Sequence, residues 1–388
     1  MKLTVINSFF YTNNSNDFKY ISMKFIINRE HLLTPLQKIV SVIEKRQTMP
    51  ILSNVLVSLV ENKLVLTGTD LEIQLIASIN LDSNENGEIT VPARKFLDII
   101  RLLPNNAQIK FELKEDKVKI SSGRSRFSLS TLAAENYPEF SETELENKFS
   151  INAGKLKYAL DKTIFCMGNQ DVRYYLNGLL LHISNSKLKL VASDGHRLSF
   201  YEDNIGATTG YETRIILPRK GVLELSRLLD DDDIELDIQF SNSNIRIRIN
   251  DLVFSAKLVD AKYPDFSKVF DQSFLNPIHI EKNSLKDALT RVAILANEKF
   301  KGVNCNISDG LLKLNSHNPE HDEAEEELII EYSDEPIAIA FNSQYLLDAV
   351  NNLDSELAVL TIASNGSSCF VNEPEQKPYK FIVMPMRL

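Results

Sequence analysis

Val91-Pro92-Ala93-Arg94-Lys95-Phe96-Leu97-Asp98 is written three times in this chain. It returns as Leu217-Pro218-Arg219-Lys220-Gly221-Val222-Leu223-Glu224, and more faintly as Phe341-Asn342-Ser343-Gln344-Tyr345-Leu346-Leu347-Asp348. Asp98 and Glu224 lie 126 positions apart, and Glu224 and Asp348 lie 124 apart. A second marker keeps the same beat: Asn136-Tyr137-Pro138-Glu139-Phe140 recurs as Lys262-Tyr263-Pro264-Asp265-Phe266. Solenoid repeats run to roughly 20–50 residues. A period this long is the size of a whole domain, so the chain reads as three copies of one fold.

Composition agrees. A chain of 388 residues can bury two or three cores of ordinary size. No apolar run approaches the roughly 18 residues of a membrane span, and no membrane partner is expected. Cys166, Cys305 and Cys369 are odd in number, far apart and without a C-x-x-C pair. They read as reduced thiols of a cytoplasmic protein rather than a disulfide frame or metal knuckle. Residues 1–22 stand outside the threefold pattern and read as a disordered extension or an upstream start. The repeats are expected at 23–142, 150–272 and 276–388.

Each copy opens with an extended stretch and a helix. In the first, Asn28 is a candidate N-cap ahead of Leu32, Leu33, Leu36, Ile39, Val40 and Ile43 at helical spacing, with a kink expected at Pro35. In the third, Ser284-x-x-Asp287 matches a capping box. Alternating strands follow, such as Asn54–Leu59 and Lys63–Gly68, then the repeated helix at 92–103, then further strands. Two helices and about eight short strands per copy make an α+β fold of helices on antiparallel sheets.

The helix faces carry the first functional hint. Arg94, Asp98 and Arg101 share one stripe, as do Thr34, Lys38, Ser41 and Lys45 on the opening helix. Lys220 with Arg227, and Lys155 with Lys162, repeat the arrangement in the second copy. One such stripe is ordinarily a solvated face; four related by internal symmetry point to a shared basic surface. The whole chain carries a net charge of −10, so its field is polarised, attracting a polyanion in one place and repelling it elsewhere.

The strings Leu66-Thr67-Gly68-Thr69-Asp70-Leu71-Glu72, Ser122 to Leu129, Gln170 to Gly178, Asp194-Gly195-His196-Arg197-Leu198 and Val383 to Leu388 make the chain resemble the bacterial sliding-clamp family, the β subunit of DNA polymerase III. The resemblance covers Met23 to Leu388. It implies three clamp domains per subunit and a head-to-tail homodimer closed as a ring around double-stranded DNA, without sequence readout, catalysis, metal or cofactor. The implied DNA contacts are Arg46, Arg94, Gln170, Tyr174 and Tyr175. The implied partner cleft begins with Leu176, Ser193, Gly195, His196, Arg197 and Leu198. Pro264, Val269, Val383, Met384, Pro385 and Met386 complete it. Ser193 stands where the family pattern expects Thr, and Lys268 where it expects Arg. The partners implied for that cleft are the α subunit of DNA polymerase III, other polymerases, the clamp loader, and mismatch-repair and ligase-type proteins carrying clamp-binding peptides.

The resemblance also implies a subunit interface. Lys95, Arg124, Arg126, Phe127 and Leu129 come from the first domain, and Ile294, Leu295, Glu320, Glu323 and Glu326 from the third. A head-to-tail contact needs unlike surfaces at its two ends, and a basic patch against the acidic run Glu320 to Glu327 supplies them. A competing reading is a zinc hydrolase, since His317-Asn318-Pro319-Glu320-His321 spells H-x-x-E-H. That site needs both imidazoles on one helix face, which Pro319 opposes.

Overall fold

The computed structural model describes residues 23–44, 49–83, 85–140, 144–205, 210–229 and 233–387. They form two compact units. One takes in the described residues up to Asp70 with Ile76–Glu139, and the other Leu71–Leu75 with the residues from Phe140 on. Among the described residues the threefold pattern is literal: each third carries two α-helices and eight strands. The helices are α1 (Arg29–Val42), α2 (Ala93–Leu102), α3 (Ala153–Asp161), α4 (Arg219–Leu228), α5 (Lys282–Ala293) and α6 (Ser343–Asn351).

In the first unit, Lys24–Asn28, Gln108–Lys114, Lys117–Ser122 and Ser125–Ser130 form one antiparallel sheet in that order. Alternation in Gln108–Lys114 sends Ile109, Phe111 and Leu113 into the core. There Phe111 stacks on Phe25 at 4.6 Å and meets Phe96 of α2 edge-on. In the second unit, Glu212–Pro218, Gly178–Ser184, Lys187–Ser193 and Arg197–Asn204 pair in order. The last of these continues into Tyr379–Val383, Cys369–Asn372, Leu357–Ile362 and Ile278–Glu281. The seam between the second and third repeats is thus an ordinary ladder, with Arg197 opposite Val383 and Leu198 opposite Ile382. The third repeat keeps a sheet of its own, ordered Glu323–Ile329, Leu311–His317, Gly302–Ser308 and Ile337–Asn342.

Asn28, Asn152 and Asn342 cap α1, α3 and α6, each side-chain oxygen accepting from main-chain N–H groups of the first turn. Pro35 lies inside α1 without ending it. The capping box expected at Ser284 is not the one used. Glu281 caps α5, its carboxylate accepting from the N–H groups of Asn283 and Ser284, because the preceding strand runs to Glu281 and leaves Ser284 inside the first turn. The first residues of α1 and α5 share a second task. Arg29 donates to the carbonyls of Ile100 and Arg101 at the end of α2, and Lys282 to Leu353 O just beyond α6. A cation there satisfies orphan carbonyls and opposes the negative end of the helix dipole.

The zinc reading fails on secondary structure. His317 ends one strand, Glu323 begins the next, and Asn318 to Asp322 close the turn between them, with His321 at φ 67°. The helical register the motif needs does not exist here, and the described residues contain no cluster of three or more His, Cys, Asp or Glu placed to hold a metal.

Close approach fixes one glycine. A Cβ on Gly68 would stand 2.9 Å from both Cγ2 and the carbonyl oxygen of Ile39, where α1 lies on the strand Lys63–Thr69. Gly68→Ala is expected to cost about 1–3 kcal/mol through overpacking, read as a lowered urea midpoint; an unchanged midpoint would show that α1 can back away freely.

Candidate peptide cleft, DNA surfaces and subunit edges

The turn Ser193 to Arg197 joins two strands of the seam sheet and is tightly specified. Ser193 Oγ donates to Arg197 O at 2.8 Å and accepts from Gly195 N at 3.0 Å. Asp194 accepts from the backbone N–H groups of His196 and Arg197 and from Arg197 Nε. Gly195 sits at φ 87°, and a Cβ there would meet the Arg173 guanidinium at 2.7 Å, so both backbone and space require glycine. Arg173 in turn grips Asp171 with two nitrogens and donates to Asp194 O.

The C-terminal segment crosses this turn. Met384 N donates to His196 O in the second repeat and Met386 N to Ala340 O in the third, both at 2.8 Å. Val383 is buried, while Met384, Pro385 and Met386 are half-buried. Beside them lies an apolar cluster in which Leu176 and Leu198 join Tyr263, Phe370 and Ile382, with Val269 packed on its margin. Pro264 is exposed next to the buried Tyr263. The structure therefore gathers most of the cleft residues around one seam.

It also adds residues that sequence reasoning missed. Arg197 donates to Asp348 of α6, and its guanidinium carbon lies 4.5 Å from the ring centroid of Tyr345. His196 stacks on the same ring at 6.4 Å. Phe200, Phe266, Phe270 and Phe274 extend the apolar margin. Asp348 and Tyr345 were visible as members of the third repeated string; nothing in that string says that its helix faces Arg197.

The DNA residues fare differently. Arg46 and Lys45 lie outside the described residues. Arg94 is exposed, and its guanidinium donates to Ile43 O at the end of α1. Gln170 occupies the left-handed region at φ 57° on an exposed loop, and Tyr174 stands 59% exposed. Tyr175 instead packs against the cleft cluster. Lys162 corrects the stripe reading. It is buried, donating to Asn352 O and Asp354 Oδ1, and lies over the rings of Tyr158 and Tyr379. Burial opposes ionisation of Asp354, yet hydrogen bonds from Lys162 and Tyr158 outweigh it and hold the carboxyl below its usual range. Helical spacing placed Lys162 on an open face; the helical register does carry through Lys162, whose N–H bonds to Tyr158 O, but the turn after α6 covers the face there.

The subunit residues lie on two sheet edges. Ser125–Ser130 ends the first unit's sheet, with Arg124, Arg126 and Phe127 exposed but Leu129 buried in its own domain. Lys95 is exposed on α2. Glu323–Ile329 ends the third repeat's sheet. Ile294 is 75% exposed and Leu295 half-buried just past α5, while Glu320 and Glu323 are exposed. The acidic run is not one surface, because a strand alternates its faces. Glu326 turns to α5 and is neutralised by Arg291 at 2.6 Å, while Glu325 and Glu327 share Lys313.

Family models for the N-terminal, central and C-terminal domains of the DNA polymerase III beta subunit match residues 23–141, 150–265 and 267–387. The chain belongs to the DNA polymerase III β-subunit family. A Beta sliding clamp of Pseudomonas aeruginosa is 43% identical over 367 residues, 94% of this chain and all of that one. A crystal structure of the P. aeruginosa β subunit superposes with a TM-score of 0.92 at 42% identity, covering 94% of this chain and all of that one. Another, of the same organism's sliding clamp bound to griselimycin, superposes at 0.91 with 43% identity over 95% of this chain and all of that one.

In this β-subunit chain the Asp171–Arg173 fork sets a pH window. The Arg173 side chain, helped by its own backbone N–H, lowers the Asp171 carboxyl to about 2. A depressed folded pKa contributes stability above the unfolded value and loses it as pH falls through the folded one. Carboxyl NMR should therefore find Asp171 ionised until the pH nears 2, while Arg173→Gln should bring its midpoint back toward an ordinary aspartate; coincident midpoints would remove the fork from the account.

Proposed function

We infer that this chain is a sliding clamp, a non-catalytic processivity factor that keeps DNA polymerase III on DNA during replication. The observation that carries this is the match of three β-subunit domain models, in order, across residues 23–387, on a fold that superposes along the whole length of a solved relative. The mechanism is topological. A protein linked around duplex DNA slides without dissociating, and contacts to phosphates carry no sequence information.

The finer reading is ours. Three domains at 23–142, 150–272 and 276–388 form one subunit, and two subunits close head to tail as a cytoplasmic ring. Arg46, Arg94, Gln170 and Tyr174 touch DNA, whereas Tyr175 serves the cleft wall. The cleft along the seam takes short apolar peptides from the polymerase α subunit, other polymerases, the clamp loader, and mismatch-repair and ligase-type proteins. Its half-buried Met384 and Met386, with the aromatic margin, suit that adaptable task. The P. aeruginosa relative bound to griselimycin supports a ligand-binding surface in the family.

Retention on DNA tests the reading. After loading with the clamp loader, labelled protein should remain on nicked circular DNA through gel filtration and be lost once a restriction enzyme linearises the circle. Equal retention on both forms would replace encirclement by simple adhesion.

Ring polarity has its own test. Arg124→Glu with Arg126→Glu sets like charges against Glu323 of the partner edge and should weaken the dimer, more at low salt than at high. Sedimentation at low salt that finds the double variant as dimeric as the parent would remove this pairing.

A further inference from the structure

The seam, the cleft turn and α6 meet at the Arg197 side chain. Its backbone lies opposite Val383 in the ladder. Its Nε is held by Asp194 of its own turn at 3.0 Å, and its Nη1 donates to Asp348 Oδ2 of α6. Its guanidinium faces the Tyr345 ring, whose plane lies 20° from that of the His196 imidazole. Asp348 is itself oriented by Gln344, one turn earlier on α6, whose Nε2 donates to Asp348 Oδ1 at 2.8 Å. The arrangement is a chain of supports: Gln344 sets Asp348, Asp348 and Asp194 set Arg197, and the pinned guanidinium sets the Tyr345–His196 pair.

We propose that Asp348 is a positioning residue for partner binding, holding Arg197 so that the His196–Tyr345 wall of the cleft stands preformed before an apolar peptide arrives. This rests on the reading of the seam as the peptide cleft. Preformed side chains need not be ordered at the moment of binding, so affinity rises without a new contact to the ligand. Asp348 is only partly exposed and α6 faces Arg197 rather than open solvent at this point. With the carboxylate gone, Arg197 keeps one acidic anchor on its own turn and none on the third repeat.

The helix offers an internal control. Just past the C-terminal end of α6, Lys162 grips Asn352 O and Asp354. Asn352 in turn donates to Asp348 O, so Lys162→Met loosens the same end of the helix while leaving the Asp348 carboxylate and Arg197 in place. The probe is a fluorescein-labelled peptide copying the C-terminal tail of the polymerase α subunit, titrated against full-length protein by anisotropy. Asp348→Asn should raise Kd about tenfold and shift the His196 ring resonances of the unliganded protein away from their stacked positions. Lys162→Met should change Kd less than about twofold and leave those resonances in place. Equal Kd for Asp348→Asn and parent overturns the proposal, as does a Lys162→Met loss of the same size, which would make the effect general loosening of α6. Should Asp348→Asn fail to fold, Arg197→Lys keeps the charge and loses the fork; unchanged affinity in that variant overturns the proposal equally. A parent protein that ignores the peptide overturns the cleft reading itself, and the proposal with it.

Discussion

An antiparallel sheet ends in strands whose outward N–H and C=O groups need a partner or protection, and the second unit is organised around how that need is met. The strand Arg197–Asn204 would be the edge of the second repeat, and Tyr379–Val383 that of the third. Paired to each other, they turn two four-stranded sheets into one of eight. Ladder register is then fixed for both repeats at once, since a slip of one residue would send every side chain to the opposite face. The cleft turn at Ser193–Arg197 and the terminal Met384–Met386 segment are adjacent only because this register brings Arg197 opposite Val383. The proposed binding surface, made from residues nearly two hundred positions apart, thus depends on one run of main-chain hydrogen bonds.

A ladder holds strands and leaves helices to be placed by side chains. Two cations of the second repeat reach α6 and the turn behind it: Arg197 at Asp348, and Lys162 at Asn352 and Asp354. Burying a charge is costly unless it is paired and hydrogen-bonded. Lys162 meets that condition with two oxygens and two aromatic faces, Arg197 with two carboxylates and the rings of Phe165 and Tyr345. Both contacts spend basic residues on internal support. For Lys162 this bears on function, because a cation held inside the fold releases no counterion on DNA binding. A clamp that must slide gains from a weak hold.

The repeat architecture was legible because period and pattern are local properties: Asp98, Glu224 and Asp348 mark the second helix of each third, and α2, α4 and α6 lie there. Errors arose where a local rule met a tertiary boundary. Ser284-x-x-Asp287 satisfies a capping box, but the strand before it runs on to Glu281 and moves the helix start. Lys155 and Lys162 are seven apart, as a helical stripe requires, but the turn after α6 covers Lys162 and takes its ammonium at Asn352 and Asp354. Glu326 reads as part of an acidic run, yet strand alternation hands it to Arg291. Tyr345 is the instructive omission. Its own helix gives it no distinction, and its ring contacts come from His196 and Arg197, which approach from another repeat.

The same alternation gives two further edges their character. On Glu323–Ile329 the outward positions are Glu323, Glu325, Glu327 and Ile329, the last 93% exposed. Three carboxylates in a row would face one another if two such edges met, and like charges opposite each other in a ladder are unfavourable. The acidic edge therefore protects itself from its own copy, as natural edge strands commonly do. Arg124 just before Ser125–Ser130 and Arg126 within it carry the opposite sign, and Phe127 stands exposed beside them. Charge that disfavours pairing with a like edge leaves an edge open to an unlike one. Protection of an edge against its own copy and selectivity for an unlike surface are then one physical device.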